Sequence, residues 1–285
     1  MAVAFYSLFF SAHLKFQNTP IYVRDGLIFG AASRTVFMDL TTERQGIHSQ
    51  ISVLHPAFTL IHQPLAQLFT LGWQALGMSE SDSQKHGVAV LTCLAAALSV
   101  VMVYHTLLWC GCANLRAIML AMIFGASTCV WIMAPLPEVW IFAGLGILGM
   151  VSITARGQLT HPGWQMAVTV YAICTFVGSL IPCLILAMTC FAQSRAITGQ
   201  FRAQSLLIPL IAVTVSFGLA NLQREIYPNS KPLPKSWAEW STLGKGWDAS
   251  RETQALVARE VFISNIVAPP YVTTKRDKTR QKITV

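Results

Sequence analysis

Charge is what this sequence has least of. Asp, Glu, Lys and Arg together make up 11% of its 285 residues, against about 25% in a typical soluble domain. From His86 to Gln223 there are five charged residues in 138: Arg116, Glu138, Arg156, Arg195 and Arg202. A soluble protein could not cover its surface with so few. Chemistry-bearing motifs are missing too. There is no Gly-rich phosphate loop, no H-E-x-x-H and no G-x-S-x-G, and Phe29-Gly30-Ala31-Ala32 is not a dinucleotide fingerprint. The seven cysteines lie in or beside apolar segments, and Cys110 and Cys112 form a C-x-C pair with no partner group. They read as small core residues, so neither a metal nor any other cofactor is expected. The polar segments 16–50 and 223–285 contain no cysteine, which excludes a disulfide framework there. Met1–Phe16 has no basic n-region and no small-residue cleavage site, so it is not a cleavable leader. It reads as a short first span, and the natural N-terminus is expected further upstream. The net charge of +8 lacks the basic, aromatic-interleaved face of a nucleic-acid binder.

What the sequence has is apolar length. A stretch of about 20 residues with few charges crosses a bilayer as a helix. Such stretches occur at 2–16, 87–110, 117–133, 139–154, 165–193 and 204–222. Segment 165–193 is interrupted by Gly178-Ser179-Leu180-Ile181-Pro182, so it is either one tilted helix or a hairpin of two. The expected fold is all-α: a polytopic transmembrane bundle of about six to seven spans. Residues 1–222 form the membrane domain, with an outer loop at 17–50. Residues 54–77 carry His55, place His62, Gln63, Gln67 and Gln74 opposite Leu60, Leu68, Phe69 and Leu71, and read as an interfacial amphipathic helix, with a true span as the alternative. Pro64 is expected to break or kink it. The 62 residues after Gln223 hold 11 Lys/Arg and 6 Asp/Glu, and 223–285 reads as a polar extracytoplasmic tail.

The loops orient the chain. Lys and Arg in short loops stay on the cytoplasmic side. With 54–77 on the outer surface, Arg116 and Arg156 fall inside. Arg195 and Arg202 join them if 165–193 is a hairpin. Loop 17–50, Glu138 and the tail then share the outer face. The localisation expected is multi-pass, in a plasma or inner membrane.

That outer face collects the candidate chemistry. Asp25 and Asp39 lie in the long loop with Arg24 and Arg34 nearby, and Glu138 follows a proline-broken turn, Ala134-Pro135-Leu136-Pro137. A carboxylate beside a bilayer can be tuned by desolvation to act as a general base. Arginines can clamp a phosphate. The simpler alternative is that these charges are only solvated beside headgroups. His55-Pro56 reads first as a helix-start element, and His105 as a hydrogen-bonded residue between helices.

The order of these features resembles the GT-C superfamily of membrane glycosyltransferases. The features are Arg34-Thr-Val-Phe-Met-Asp39, then His55-Pro56-Ala-Phe58 and Gln63-Pro64-Leu65, then Leu76-Gly77-Met78-Ser79-Glu80 before a long span, and the Pro137-Glu138 turn. The likeness is to the protein-mannosyltransferase-like and bacterial polyprenyl-phosphate-sugar branches, over roughly residues 5–222. It implies sugar transfer from a polyprenyl-phosphate donor to a glycan, lipid or protein acceptor on the extracytoplasmic face. Asp39, or Asp25 after it, would be the base. Arg34, Arg24, His55 and Glu138 would bind substrate. Many relatives carry an acid a little before the loop arginine, where this chain has Ala32-Ser33, and relatives usually continue with further spans. The alternatives are therefore a non-catalytic membrane subunit bound to a partner protein and, third, a transporter. The transporter reading is weakened because the spans are nearly free of ionisable residues.

The orientation makes a prediction. A cysteine placed at Arg116 in a cysteine-free background should resist impermeant maleimide in intact cells, while one in the 223–285 tail should label. Labelling at 116 and not in the tail would reverse the assignment.

Overall fold

A computed structural model describes residues 1–19, 33–41, 55–156, 162–176, 179–198, 204–227, 275–276 and 283–284. The chain divides into two compact units, Met1–Lys235 and Ser236–Val285. In the second unit the described residues are a two-residue antiparallel pairing, Lys275 with Thr284 and Arg276 with Ile283. Among the described residues of the first unit, everything regular is helical. Its helices are α1 (Ala2–Phe16), α2 (Ser33–Thr41), α3 (Phe58–Ala75), α4 (Glu80–Trp109), α5 (Asn114–Ala126), α6 (Thr128–Met133), α7 (Val139–Ala155), α8 (Pro162–Thr175), α9 (Leu180–Thr198) and α10 (Gln204–Ile226).

The segment boundaries have local causes. Ser79 caps α4: its Oγ accepts from the Asp82 N–H at 3.2 Å and donates to the Asp82 carboxylate at 2.8 Å, which satisfies one of the helix's orphan donors. Helices α3 and α4 both end in a left-handed glycine, Gly77 at φ 87 and Gly111 at φ 85. At each end the residue beyond the glycine bonds back five residues, Met78 to Trp73 and Cys112 to Leu107. This is the Schellman stop, which glycine takes without the Cβ clash other residues suffer.

Three expectations change. The outer loop holds helix α2, whose Val36, Asp39 and Leu40 are buried. Their i, i+3, i+4 spacing makes one inward face, a pattern too short to stand out in nine residues. Pro64 does not break its helix, because α3 runs on through it. The lost N–H bond is offset by packing along α4. The apolar segments are also more divided than expected. Residues 117–133 split at Ser127 into α5 and α6, while 165–193 takes the two-helix form of its two expected alternatives, α8 and α9. Among the described residues only Glu80–Trp109 and Leu207–Ile226 are single helices long and apolar enough to cross a membrane, against the six to seven spans expected. Shorter apolar helices are Ala2–Phe16, Asn114–Ala126, Val139–Ala155 and Leu180–Thr189.

Side-chain contacts fix the helix directions. Trp73 meets His86 at 5.4 Å between ring centroids, and Gly87 lies against Ala66 and Thr70, so α3 runs antiparallel along the start of α4. Helix α1 is antiparallel to α4 as well, with His13 beside His86 and both Phe5 and Val100 against Gly125. Helix α7 is parallel to α4: the Cys93 thiol reaches the Ala134 carbonyl, and Thr106 meets Ser152 at 2.6 Å. Helix α8 returns along α7, with Ala172 on Gly146 and Val168 on Gly149. Glu138 therefore sits at the same end of the bundle as His13 and His86. Arg116 and Arg156 sit at the other.

Large apolar side chains lie on the outside of the bundle as well as in its core. Leu65, Leu68 and Leu71 of α3 point outward, while His62 and Gln63 of the same helix are buried. The pattern repeats elsewhere. Leu115, Met119, Ile123, Trp164, Ile181 and Leu210 are exposed, and His13, Asp39, His86 and Glu138 are inside.

The α3–α4 seam gives a stability prediction. A Cβ on Gly87 would lie 2.8 Å from the Thr70 backbone nitrogen and 2.9 Å from the Ala66 carbonyl oxygen. Backbone cannot swing aside, so Gly87→Val should cost about 1–3 kcal/mol and lower Tm. Gly144→Val, with open space around it, is the control. Equal melting of the two variants would contradict the seam.

Candidate functional site

The site is built on one apolar cluster. Val36 and Leu40 of α2, Phe58 and Ala66 of α3, Val88, Leu91 and Cys93 of α4, Ala134, and Val139 and Phe142 of α7 pack together. Two of the expected residues border it. Asp39 lies between Val36 and Leu40 on the buried face of α2, and Glu138 directly precedes Val139.

Asp39 is 1% exposed. Its Oδ1 has no hydrogen-bond partner among the described residues. Burial disfavours the charged form and pushes this carboxyl up from its ordinary value to about 7. A carboxyl in that condition changes protonation near neutral pH, as a general base must. Glu138 is 2% exposed and takes the N-cap of α7, where its Oε1 accepts from the Val139 N–H at 3.2 Å. An acid at a helix N-terminus is favoured by the exposed amide dipoles. The turn before it, with two prolines, cannot continue α6, and it presents the carboxyl at a helix start.

His55 has a different setting. Its Nδ1–H donates to the Thr175 carbonyl at the end of α8, and its ring lies against Phe58 and Phe176. The adjacent Ala57 N–H donates to the Cys174 carbonyl at 3.2 Å. Burial lowers its pKa to about 4, so it is neutral at pH 7. It ties the start of α3 to the end of α8. Arg34 is exposed in the first turn of α2, off the face that carries Asp39. Asp25 and Arg24 lie outside the described residues.

Sequence reasoning missed two groups. His62 is fully enclosed by Phe58, Phe142 and Tyr171, with ring centroids 4.5, 4.4 and 5.6 Å away. Its Nδ1–H donates to the Phe58 carbonyl at 2.9 Å, which leaves Nε2 to accept from the Tyr171 hydroxyl at 3.2 Å. This hydrogen bond bridges α3 and α8. The second group is His13 and His86, 5.4 Å apart edge to face and packed with Phe10 and Trp73. The two histidines are far apart in sequence, and no spacing rule pairs residues on separate helices. Among the described residues no group of three His, Cys, Asp or Glu is placed to hold a metal ion.

Comparison with protein-family models, with curated proteins and with solved structures finds no match.

Asp39 sets the pH response. Its native pKa lies above the ordinary 3.8, so between about 4 and 7 the folded state holds a proton that the unfolded chain releases. Stability is then highest below pH 4 as far as this group is concerned, and it falls as pH rises towards 7. Asp39→Asn should flatten the decline in Tm between pH 5 and 7.5 in detergent. An unchanged slope would show that the carboxyl is not held as described.

Proposed function

We propose that the chain is a multi-pass integral membrane glycosyltransferase of the GT-C type, taking a sugar from a polyprenyl-phosphate donor at the end of the bundle where Glu138 lies. The observation that carries this is the buried, singly unsatisfied carboxyl of Asp39 in a bundle whose outer surface is leucine-rich. Exposed apolar area on this scale is unusual for a soluble monomer and suits a lipid surround. Most of the helices are too short to span alone. On this reading α5 and α6 cross together, and the break at Pro135–Pro137 falls where protein shields the backbone.

In the proposed reaction the Asp39 carboxylate takes the proton of an acceptor hydroxyl as its oxygen attacks the anomeric carbon. The bond from that carbon to the phosphate oxygen breaks with its electron pair, releasing polyprenyl phosphate. Arg34 and Arg24 would neutralise that leaving group. Glu138 would hold sugar hydroxyls from the start of α7, and His55 would fix the entry of α3.

A second reading, a non-catalytic subunit that binds a membrane partner, is favoured by Ala32-Ser33, where relatives of the resembled family often carry an acid. A transfer assay in native membranes separates the two. With a polyprenyl-phosphate sugar, Asp39→Asn should lower kcat at least about a hundredfold, the usual scale for a positioned base, and leave the protein's abundance unchanged. Full turnover by the variant removes Asp39 from the mechanism. No turnover by the natural chain, alongside a co-purifying protein, favours the subunit.

A further inference from the structure

The turn between α4 and α5 carries two thiols. Cys110 is the C-cap of α4 and is exposed, and Cys112 is half-buried. Gly111 between them is left-handed, and a Cβ there would meet nothing within 4 Å. The turn therefore stands clear of its neighbours. Free cysteine is ordinarily among the most buried residue types, as Cys93, Cys174 and Cys183 are here. Two reachable thiols in one open turn depart from that habit.

The turn lies at the edge of the apolar zone. Trp109, just before it, is 40% exposed, and the Arg156 guanidinium lies 5.4 Å from its ring centroid. Tryptophan favours the headgroup level, where one part of the ring is wet and the rest apolar. His105 is exposed and stacks on the same indole at 5.7 Å. It is a surface residue, not the interhelical one expected from sequence. From the turn, α5 folds back along α4: the Tyr104 hydroxyl donates to the Asn114 side chain at 2.8 Å, and Val100 meets Gly125. Leu115, Met119 and Ile123 of α5 are 70%, 55% and 64% exposed. Their i, i+4, i+8 spacing makes one outward stripe. It begins just past Cys112 and runs about 12 Å, at about 1.5 Å per residue. That is close to the depth of one leaflet, half of a hydrocarbon core about 30 Å thick.

We infer that Cys110 and Cys112 are sites of S-acylation by a long-chain fatty acid. Cysteines at a membrane boundary take this modification reversibly. The inference rests on the membrane reading and orientation above, not on any sugar transfer. This end of the bundle is the cytoplasmic one by its loop arginines, the side on which acyl-coenzyme A is available. The cysteine sulfur, as thiolate, attacks the carbonyl carbon of the acyl-coenzyme A thioester. The bond from that carbon to the coenzyme A sulfur breaks with its electron pair, and the proton given up by the cysteine goes to the released coenzyme A thiol. One thioester replaces another, so no oxidant or reductant is needed. The acyl chain then lies along Leu115, Met119 and Ile123 and holds the turn at the membrane surface.

The test maps acyl groups by mass spectrometry on the full chain isolated from its own membranes, with and without neutral hydroxylamine, which cleaves thioesters and spares amides. A long-chain acyl mass should appear on the peptide that holds Cys110 and Cys112 and should vanish after hydroxylamine. Cys129, exposed beyond the far end of α5, is the internal control and should carry none. C110S/C112S should lose the label taken from an alkyne fatty acid fed to the cells, while C129S keeps it. An unmodified peptide, a disulfide between the two cysteines, a hydroxylamine-resistant adduct, or a label that survives in C110S/C112S overturns the site. Mapping on the natural chain decides the matter even if the double variant fails to fold. Release of the chain by alkaline carbonate overturns the membrane reading instead.

Discussion

Helix α3 holds the described bundle together through one close seam. It lies along the start of α4 with Gly87 pressed on the Ala66 and Thr70 backbone. From there it reaches four other elements. Helix α2 packs on it. Phe58 and His62 meet Phe142 of α7. His55 and Ala57 bind the last carbonyls of α8. The Leu60 N–H, an orphan donor at a helix start, is satisfied at 3.0 Å by the Gln223 side chain of α10. If α3 shifts, the surroundings of Asp39 and the approach to Glu138 shift with it.

Position on that helix explains why its polar residues are not where a soluble protein would have them. In water, hydrophobic burial drives leucine inward. Here Leu68 and Leu71 are 62% and 61% exposed, so water as the surround would reward turning the helix over. A lipid surround removes that reward, and it makes internal hydrogen bonds such as His62 to Tyr171 the favourable place for polar atoms. The raised carboxyl of Asp39 has a separate cause, its burial among the protein's own side chains. Desolvation costs are tolerated inside a bundle that cannot offer the group to bulk water, and the result is a carboxyl able to exchange a proton near neutral pH.

Helical class and most segment boundaries were legible because runs of apolar residues and proline or glycine stops act locally. Val139–Ala155 and Ala2–Phe16 fell where the sequence put them, and the break near Ser179 was visible in Gly178 and Pro182. The buried pairs were not legible. His13 with His86, and His62 with Tyr171, depend on which helices neighbour each other. Periodicity within a segment carries no record of that. Helix α2 was missed because nine residues give its inward face only Ser33, Val36, Asp39 and Leu40. Asp39 was named from its place in a loop, but the sequence held no sign that it would be buried.

The proposed chemistry depends first on an apolar exterior that faces lipid. Washing membranes that contain the full chain with alkaline carbonate tests this directly. The chain is predicted to stay with the bilayer and to be released only by detergent. Release into the aqueous fraction as a folded, monodisperse protein would contradict it.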